Sequence, residues 1–229
     1  ESSKILVMSE GMKKLYSQKY GINTIPIVHS FSEEIEVKKI NKDKINESLF
    51  WGGSIYSINK ECLKRIEESC LNLNLQLTLS AACTKKKLNR MGFKMKNISI
   101  LPFLSRKDYI KNIEVQKALV LAIDWPDESP VHEDELRTIF PTKTIEYLIS
   151  GRPIIVHCPA NYFLSEFFKK NGCGIVINDR CIDKMCDQID LAFSKNDNIE
   201  EMILNAYNTA KMFKIDNVKA DFEKTIYKL

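Results

Sequence analysis

The 229-residue sequence lacks several features that would indicate particular classes of protein. No apolar run approaches the length of a membrane-spanning helix, and no signal sequence is recognisable. The seven cysteines include no C-x-x-C pair and the three histidines lie far apart, which argues against a clustered zinc site. The net charge of +4 is small beside 34 basic and 30 acidic residues, so the composition does not indicate a nucleic-acid partner.

The cysteines are distributed singly along the chain. Their odd number favours a reducing cytosol over a disulfide framework, and we expect most of them to be small buried apolar groups. They are Cys62, Cys70, Cys83, Cys158, Cys173, Cys181 and Cys186. With 44% hydrophobic and 28% charged residues, the composition is typical of a soluble globular protein. Because the chain begins at Glu1 rather than at a methionine, we expect it to be a piece of a longer protein.

Short apolar runs alternate with helical patterns through the middle of the chain. The runs that predict strands are 49–51, 75–79, 98–101, 118–123, 153–156 and 175–177. The patterns between them predict helices at about 57–71, from 85 onward, at 105–112, at about 141–150 and at 162–170. Ser105 can cap the third of these helices, and Asn161 is predicted to cap the last. Strands that alternate with helices of this length pair in parallel through right-handed crossovers. The sequence therefore predicts an α/β fold with a parallel sheet flanked by helices.

The two ends of the chain depart from this alternation. A short strand at 4–8 precedes a helix at about 10–20, which Ser9 caps and Gly21 ends, and 25–28 is a second extended piece. Residues 32–48 are polar and indicate a surface linker, so we expect a lead-in at 1–46 and the main domain at 47–229. Three amphipathic helices are predicted at the carboxyl end, either folding back on the sheet or mediating dimerisation. They cover about 181–194, 198–213 and 216–227.

The segment that begins at Pro141 is the first candidate for a site. Proline suits the first helical position and Gly151 suits the end, so a helix is predicted between them, leading into the buried strand at 153–156. The side of this helix that faces away from the core carries Thr142, Lys143 and Glu146. A helix N-terminus with a lysine can bind an anion, and a glutamate one turn later can accept hydrogen bonds from sugar hydroxyls. The alternative is that Lys143 and Glu146 form a solvated surface pair.

Gly52 and Gly53 stand between a predicted strand and a predicted helix. At that place a missing side chain lets the backbone approach a ligand phosphate, although two glycines also suit a simple tight turn. No G-x-G-x-x-G or Walker sequence accompanies them. Polar groups follow directly and could donate near the same edge of the sheet or form the solvated face of the helix. They are Ser54, Tyr56, Asn59 and Lys60.

Two further loops follow predicted strands. In the first, main-chain groups near Phe103 could pair with a flat base, whereas burial of the Phe103 ring in the core is the alternative. The second, 124–139, is predicted to be a long polar loop that could act as a lid or contact substrate. His132 and the acidic residues after it do not indicate a metal or acid/base site, because consecutive side chains do not converge on one point.

These signals occur in an order that resembles the C-terminal, donor-binding domain of GT-B glycosyltransferases, especially the retaining transferases of bacterial polysaccharide assembly. The most specific motif is P-T-K-x-x-E-Y-L-x-x-G-R-P, which begins at Pro141. The other matching segments are S-E-G-M-K-K-L-Y from Ser9, G-G-S-I-Y at 52–56, L-P-F-L-S at 101–105 and G-C-G-I-V-I at 172–177. The resemblance implies the Rossmann-like C-terminal half of a GT-B fold, with 1–46 leading in from an absent N-terminal domain.

The resemblance also implies a function. The domain would bind a nucleotide-diphosphate sugar as substrate, with no metal or cofactor, for transfer to an acceptor sugar or lipid-linked glycan held by the N-terminal domain. The fragment alone would transfer little, and the full-length protein would be cytoplasmic and could associate peripherally with a membrane. The donor-binding residues implied are Gly52, Gly53, Ser54, Tyr56, Phe103, Leu104, Thr142, Lys143 and Glu146.

The implied roles divide among three parts of the donor. Gly52 and Gly53 would line the diphosphate or sugar, and Thr142 with Lys143 would meet the pyrophosphate. The backbone near Phe103 and Leu104 would meet the base. Glu146 would bind the ribose hydroxyls. Lys143 and Lys60 are the candidate catalytic residues.

The sequence departs from this family at two positions. Thr138 stands where many members have the first glutamate of a Glu-x7-Glu pattern, and Ser54 stands where many have an arginine. Either Lys60 or Lys143 could then carry most of the phosphate charge. The departures leave two other functions open, a non-catalytic interaction or scaffold module and a nucleotide-sugar epimerase.

Overall fold

The computed structural model describes residues 4–32, 34, 45–194 and 196–227. Its strands are β1 (Leu6–Val7), β2 (Ile25–Pro26), β3 (Asn46–Gly52), β4 (Gln76–Ser80), β5 (Ile98–Ile100), β6 (Gln116–Ala122), β7 (Ile154–His157) and β8 (Ile175–Ile177). Its helices are α1 (Glu10–Tyr20), α2 (Lys60–Asn72), α3 (Lys85–Arg90), α4 (Arg106–Glu114), α5 (Glu133–Leu136), α6 (Lys143–Leu148), α7 (Phe163–Asn171), α8 (Ile182–Ser194), α9 (Asn196–Ala210) and α10 (Ile215–Tyr227). Short 3₁₀ helices occupy Pro126–Glu128 and Lys211–Phe213.

Six strands form one parallel sheet in the order β5-β4-β3-β6-β7-β8, which confirms the predicted fold class. Helices cover both faces, so neighbouring residues of one strand are buried on opposite sides. In β3, Trp51 packs into the core beneath α2, while Phe50 packs into the core beneath α6 and α7. This two-sided burial explains why the strands appear as continuous apolar runs rather than as alternating patterns.

The chain reverses its direction of travel across the sheet between β3 and β6. From β3 the strands proceed through β4 to β5 at one edge, and from β6 they proceed through β7 to β8 at the other. In open α/β sheets such a reversal leaves a crevice beyond the carboxyl ends of the two central strands. The crevice here lies after Gly52 in β3 and Ala122 in β6.

The amino-terminal segment forms a small unit beside the main domain, where Ser9 donates to the Thr138 carbonyl oxygen (3.2 Å) and Gly11 packs against Phe163 of α7. Ser9 caps α1 by accepting a hydrogen bond from the Met12 amide (3.1 Å), and Gly21 ends it with φ of 64°, as predicted. β1 and β2 pair in parallel as a separate two-stranded sheet. Most of the predicted linker at 32–48 lies outside the described residues, and the domain boundary at 46/47 stays a prediction.

The carboxyl-terminal helices fold back on the domain. α8 packs against α2, and α9 packs against α6 and α7. The chain then crosses to the amino-terminal segment, where the amide of Ile215 donates to the carbonyl oxygen of Phe31 (2.9 Å). This confirms the first of the two uses predicted for these helices.

Three local predictions were wrong. The segment 124–139 is not simply a polar loop, because it contains a 3₁₀ helix and α5, and Leu136 is fully buried. α2 begins at Lys60 rather than near 57, since residues 56–59 form a turn closed by the Asn59 amide and the Tyr56 carbonyl (3.2 Å). Tyr162, not Asn161, occupies the N-cap of α7.

No helix in the described part of the chain is long and apolar enough to cross a bilayer.

Candidate functional site

A cleft of about 570 Å³ opens at the crevice between β3 and β6. We call it the first chamber. It is lined by the end of β3, the loop after it, the end of β6 and the segment that enters α6. A second chamber of about 490 Å³ lies toward β5, between the loops that follow β4 and β5. The two chambers share Gly53, Ser54, Tyr109 and Glu146, so they form one continuous groove along the carboxyl edge of the sheet.

The glycine pair forms the floor where the two chambers meet. Gly53 has φ of +113°, a conformation that strains any other residue, and a Cβ there would lie 3.6 Å from the Lys143 Nζ. A Cβ at Gly52 would lie only 2.4 Å from the Tyr109 hydroxyl oxygen. Both positions therefore require glycine for reasons that are specific to this groove.

The amides of the two glycines bond inside the protein rather than facing the groove. The Gly52 N–H donates to the Tyr147 hydroxyl (3.0 Å), and the Gly53 N–H donates to the Ser80 carbonyl (2.8 Å). By contrast, the amides of Ser54, Thr142 and Lys143 make no hydrogen bond to any residue in the described ranges. A ligand anion would thus meet the amides that follow the glycines and those that open α6.

Two tyrosines lie beneath this floor. Tyr147 also bonds to the Tyr109 side chain, so a chain of hydrogen bonds runs from the β3 backbone through α6 to α4. Burial raises the pKa of both phenols well above the usual value, so both remain neutral hydrogen-bonding groups at physiological pH.

Lys143 reaches across the floor from the first turn of α6. Its ammonium donates to the Gly52 carbonyl oxygen (2.7 Å) and lies over the Trp51 ring, 2.9 Å from the ring centroid. Among the described residues no carboxylate forms an ion pair with it. Desolvation therefore holds the pKa of Lys143 well below its usual value.

Glu146 lies one turn further along α6 and faces both chambers. Its Oε1 accepts a hydrogen bond from Nη1 of Arg106 (2.7 Å). The arginine side chain is 58% exposed and the glutamate side chain 28%. Sequence reasoning did not single out Arg106; the available signal was a basic residue directly after Ser105, which caps α4 as predicted.

The remaining predicted residues divide into those that line the groove and those that do not. The first chamber includes Ser54, Tyr56 and Thr142, and the second includes Phe103 and Leu104. Of the two interpretations of Phe103, burial of its ring in the core was wrong, because the side chain is fully exposed and it is Leu101 that packs against the core.

Lys60 does not line either chamber. It begins α2, and its ammonium pairs with Glu61 (2.9 Å). Thr138, at the position of the missing glutamate, donates its hydroxyl to the Asp134 carbonyl oxygen (3.1 Å) at the end of α5. Of the two candidate catalytic lysines, the structure therefore brings only Lys143 together with Gly53 and Glu146.

One group of side chains within the described ranges has metal-ligand chemistry. Potential ligand atoms of Cys62, Asp124 and Glu128 lie within 4.8 Å of one another. However, Arg65 donates to both Glu128 oxygens (2.7 and 2.9 Å), and Asp124 accepts from two amides at the start of α2 (3.1 and 2.7 Å). Protein donors already satisfy these carboxylates, so the group stabilises the loop after β6. His132 caps α5 by accepting from the Asp134 amide (3.1 Å).

Comparison with known proteins reveals similarity in structure but not in sequence. No protein-family model matches the chain, and no curated protein sequence matches it. HepE from Anabaena, solved with UDP-glucose, superimposes with a TM-score of 0.71 at 13% identity, over 100% of this chain and 64% of HepE. A sucrose-phosphate synthase from Thermosynechococcus elongatus superimposes with a TM-score of 0.69 at 10% identity, over 98% of this chain and 58% of the synthase.

WaaG, a glycosyltransferase involved in lipopolysaccharide biosynthesis, gives a TM-score of 0.65 at 13% identity, over 100% of this chain and 64% of WaaG. The chain thus spans about three fifths of the length of these proteins. Such low identities establish the fold alone. The chain has the Rossmann-like fold of the C-terminal domain of GT-B glycosyltransferases.

Proposed function

We propose that this chain is the donor-binding domain of a glycosyltransferase and that the groove holds a nucleotide-diphosphate sugar. The observation that carries the proposal is the meeting of a cation, a carboxylate and a glycine backbone at one point. Lys143, Glu146 and Gly53 come from α6 and from the end of β3, and all three line the first chamber. A cation suits the diphosphate and a carboxylate suits the ribose, so the pair matches the two polar parts of a nucleotide.

The diphosphate would lie over Gly53, against the first turn of α6. An ammonium has three N–H donors, and Lys143 uses one of them on the Gly52 carbonyl. The others, with the amides of Ser54, Thr142 and Lys143, can bond phosphate oxygens. An arriving dianion also favours the charged form of a lysine whose pKa burial has lowered.

The nucleoside would extend into the second chamber. Oε1 of Glu146 receives the Arg106 guanidinium, and the other carboxylate oxygen can accept hydrogen bonds from ribose hydroxyls. The backbone at 102–104 would meet the base, and Tyr56 and Ser54 would offer hydroxyls near the sugar. Arg106 also supplies positive charge to a groove in which Ser54 replaces the arginine of the family.

The groove suits departure of a nucleoside diphosphate. When the bond to sugar C1 breaks, negative charge grows on the distal phosphate. Preorganised amides and the Lys143 ammonium then stabilise the transition state more than the ground state. The assignment of Lys60 as a second catalytic lysine receives no support, because its ammonium faces Glu61.

The rest of the transferase would lie outside this chain. We propose that residues 1–46 lead in from an N-terminal domain that holds an acceptor sugar or lipid-linked glycan, since this chain spans only about three fifths of the length of HepE, the synthase and WaaG. HepE was solved with UDP-glucose and WaaG acts in lipopolysaccharide biosynthesis, which supports a role in bacterial polysaccharide assembly; we propose that the protein has this role in the cytoplasm. The isolated chain would bind donor and transfer little.

Calorimetry with UDP, GDP and their sugars tests the proposal. We expect one of these ligands to bind, and Glu146→Gln to weaken binding by roughly tenfold or more, because a hydrogen bond to a charged group is worth about 1.5–3 kcal/mol. Glu200→Gln, an exposed change on α9, is the matched control and should bind as the wild type does. Absence of binding by every nucleotide would instead support the non-catalytic module. Full-length protein with a donor panel would separate transfer from epimerisation.

A further inference from the structure

Positive charge is concentrated in one part of the chain. Residues 81–107 contain eight basic side chains and no acidic one, although the whole chain carries only +4. All eight are exposed. They are Lys85, Lys86, Lys87, Arg90, Lys94, Lys96, Arg106 and Lys107. The other residues are net negative together, so the charge of the domain is strongly asymmetric.

Five of these side chains lie at the carboxyl edge of the sheet. Lys85, Lys86 and Lys87 form the first turn of α3, after β4, and Arg106 with Lys107 begins α4, after β5. Because β4 and β5 are adjacent and parallel, both turns start from the same edge. The loops that lead to them face each other across the second chamber. We call these five residues the basic rim.

Internal structure does not account for the charge of the basic rim. Within the described ranges only Arg106 among the five forms an ion pair, with Glu146. Lys85 and Lys86 at the start of α3, like Arg106 and Lys107 at the start of α4, oppose the helix dipole and so do not stabilise these helices. The three lysines are therefore available to an anionic partner.

An apolar side chain stands beside the basic rim. Phe103 is fully exposed in the loop between β5 and α4, and Pro102 before it is also exposed. An exposed aromatic ring flanked by lysines is the arrangement by which proteins bind the headgroup region of a bilayer, where the ring is buried and the cations meet lipid phosphates. Single-stranded nucleic acid would need several aromatic platforms, and Phe103 is the one exposed aromatic residue between 81 and 107.

We propose that the basic rim docks this domain on an anionic phospholipid surface, with Phe103 inserted among the headgroups. Docking requires no nucleotide and can be tested without one, although the basic rim and the Phe103 loop border the proposed nucleotide groove. Membrane docking is also compatible with the proposed glycosyltransferase function, because it would hold the second chamber next to a membrane that carries a lipid-linked acceptor.

Co-sedimentation with vesicles tests the proposal. The chain should bind vesicles of phosphatidylcholine mixed with phosphatidylglycerol far better than vesicles of phosphatidylcholine alone, and added salt should weaken the binding. One lysine near an anionic surface contributes about fivefold in affinity, so K85Q/K86Q/K87Q should lose on the order of a hundredfold. Phe103→Ala should also lower vesicle binding relative to the wild type. Its effect should be largest in high salt, where the electrostatic attraction of the lysines is screened.

A second triple variant, K211Q/K219Q/K224Q, removes the same charge from the carboxyl-terminal helices and is the matched control. It should keep nearly all vesicle binding. Equal losses in the two triple variants, or equal binding to neutral and anionic vesicles, would overturn the proposal. Binding of a single-stranded oligonucleotide that depends on Lys85–Lys87, without vesicle binding, would overturn it in favour of a nucleic-acid surface. Nucleotide calorimetry on K85Q/K86Q/K87Q should match the wild type, so a failure of the proposed function would appear separately.

Discussion

Replacing Lys143 with methionine should separate ligand binding from folding stability. The Lys143 ammonium lies on Trp51 and donates to the Gly52 carbonyl, and no carboxylate among the described residues pairs with it. Methionine has a similar length and can occupy the same space without charge. We therefore expect K143M to lose affinity for a nucleoside diphosphate while the free energy of unfolding stays equal or rises.

The stability effect follows from the direction of the pKa shift. Burial places the pKa of Lys143 in the folded chain below its value in the unfolded chain, where 10.5 is usual. Between these two values the unfolded chain binds more protons, so wild-type stability should rise with pH through that window. For each unit by which the Lys143 pKa is lower in the folded than in the unfolded chain, the free energy of unfolding is lower by about 1.4 kcal/mol at pH values below this window. K143M has no ionisable group at this position, so its stability should not show this rise with pH.

The binding effect is expected to be large. A hydrogen bond to a charged group contributes about 1.5–3 kcal/mol, so removing the ammonium from a diphosphate should raise the Kd roughly 10- to 150-fold. Lys60→Met is the matched control, since Lys60 pairs with Glu61 outside both chambers and its loss should leave the Kd nearly unchanged.

Calorimetry gives the Kd, and urea unfolding followed by circular dichroism gives the stability across pH. Unchanged nucleotide affinity in K143M, with a loss in the Lys60 variant, would refute the assignment of the phosphate site. A K143M protein that unfolds at lower urea than the wild type would refute the argument that the ammonium is held at a cost to stability.

Two further predictions concern neighbouring polar groups. Arg106→Gln should weaken nucleotide binding several-fold through a less fixed Glu146 carboxylate and leave stability within about 0.5 kcal/mol, because the Arg106 side chain is 58% exposed; calorimetry and thermal unfolding check this. Burial lowers the pKa of His157 to about 4 from 6.5, so the histidine should lower wild-type stability by about 3 kcal/mol as pH falls through that interval. His157→Gln keeps a donor for the Ile177 carbonyl and an acceptor for Arg65, so its stability relative to wild type should improve toward pH 4; a constant difference between the two proteins would contradict this.

The parts of the fold that local chemistry determines could be predicted from the sequence. α1 extends from its Ser9 cap to Gly21 because both residues act on their own turn of helix. The strand after Gly151 and the parallel order of the sheet follow from apolar runs that alternate with helices. Within the site, the same reasoning placed Thr142, Lys143 and Glu146 on one side of α6, and the structure has all three in the first chamber.

The parts that were missed depend on contacts between distant segments. Arg106 meets Glu146 across 40 residues, and the Gly52 amide is taken up by Tyr147, 95 residues away. No pattern among neighbouring residues of the sequence indicates such long-range contacts. Leu136 was assigned to a polar loop because one apolar residue among acidic neighbours does not form a recognisable pattern, although its side chain is buried. The outward direction of Phe103 depends on which neighbour fills the core, and the sequence leaves that choice open.

The tyrosine pair under the glycines has a mechanical consequence. Because the β3 backbone, α6 and α4 are joined at one point through Tyr147 and Tyr109, these three elements cannot shift separately without breaking a buried polar contact. The base of the groove is consequently stiff. The turn from Ser54 to Asn59 is also braced, because the Asn59 side chain accepts from the Tyr56 amide (3.1 Å) and donates to the Ser54 carbonyl oxygen (3.4 Å), so this wall of the first chamber is held in place as well.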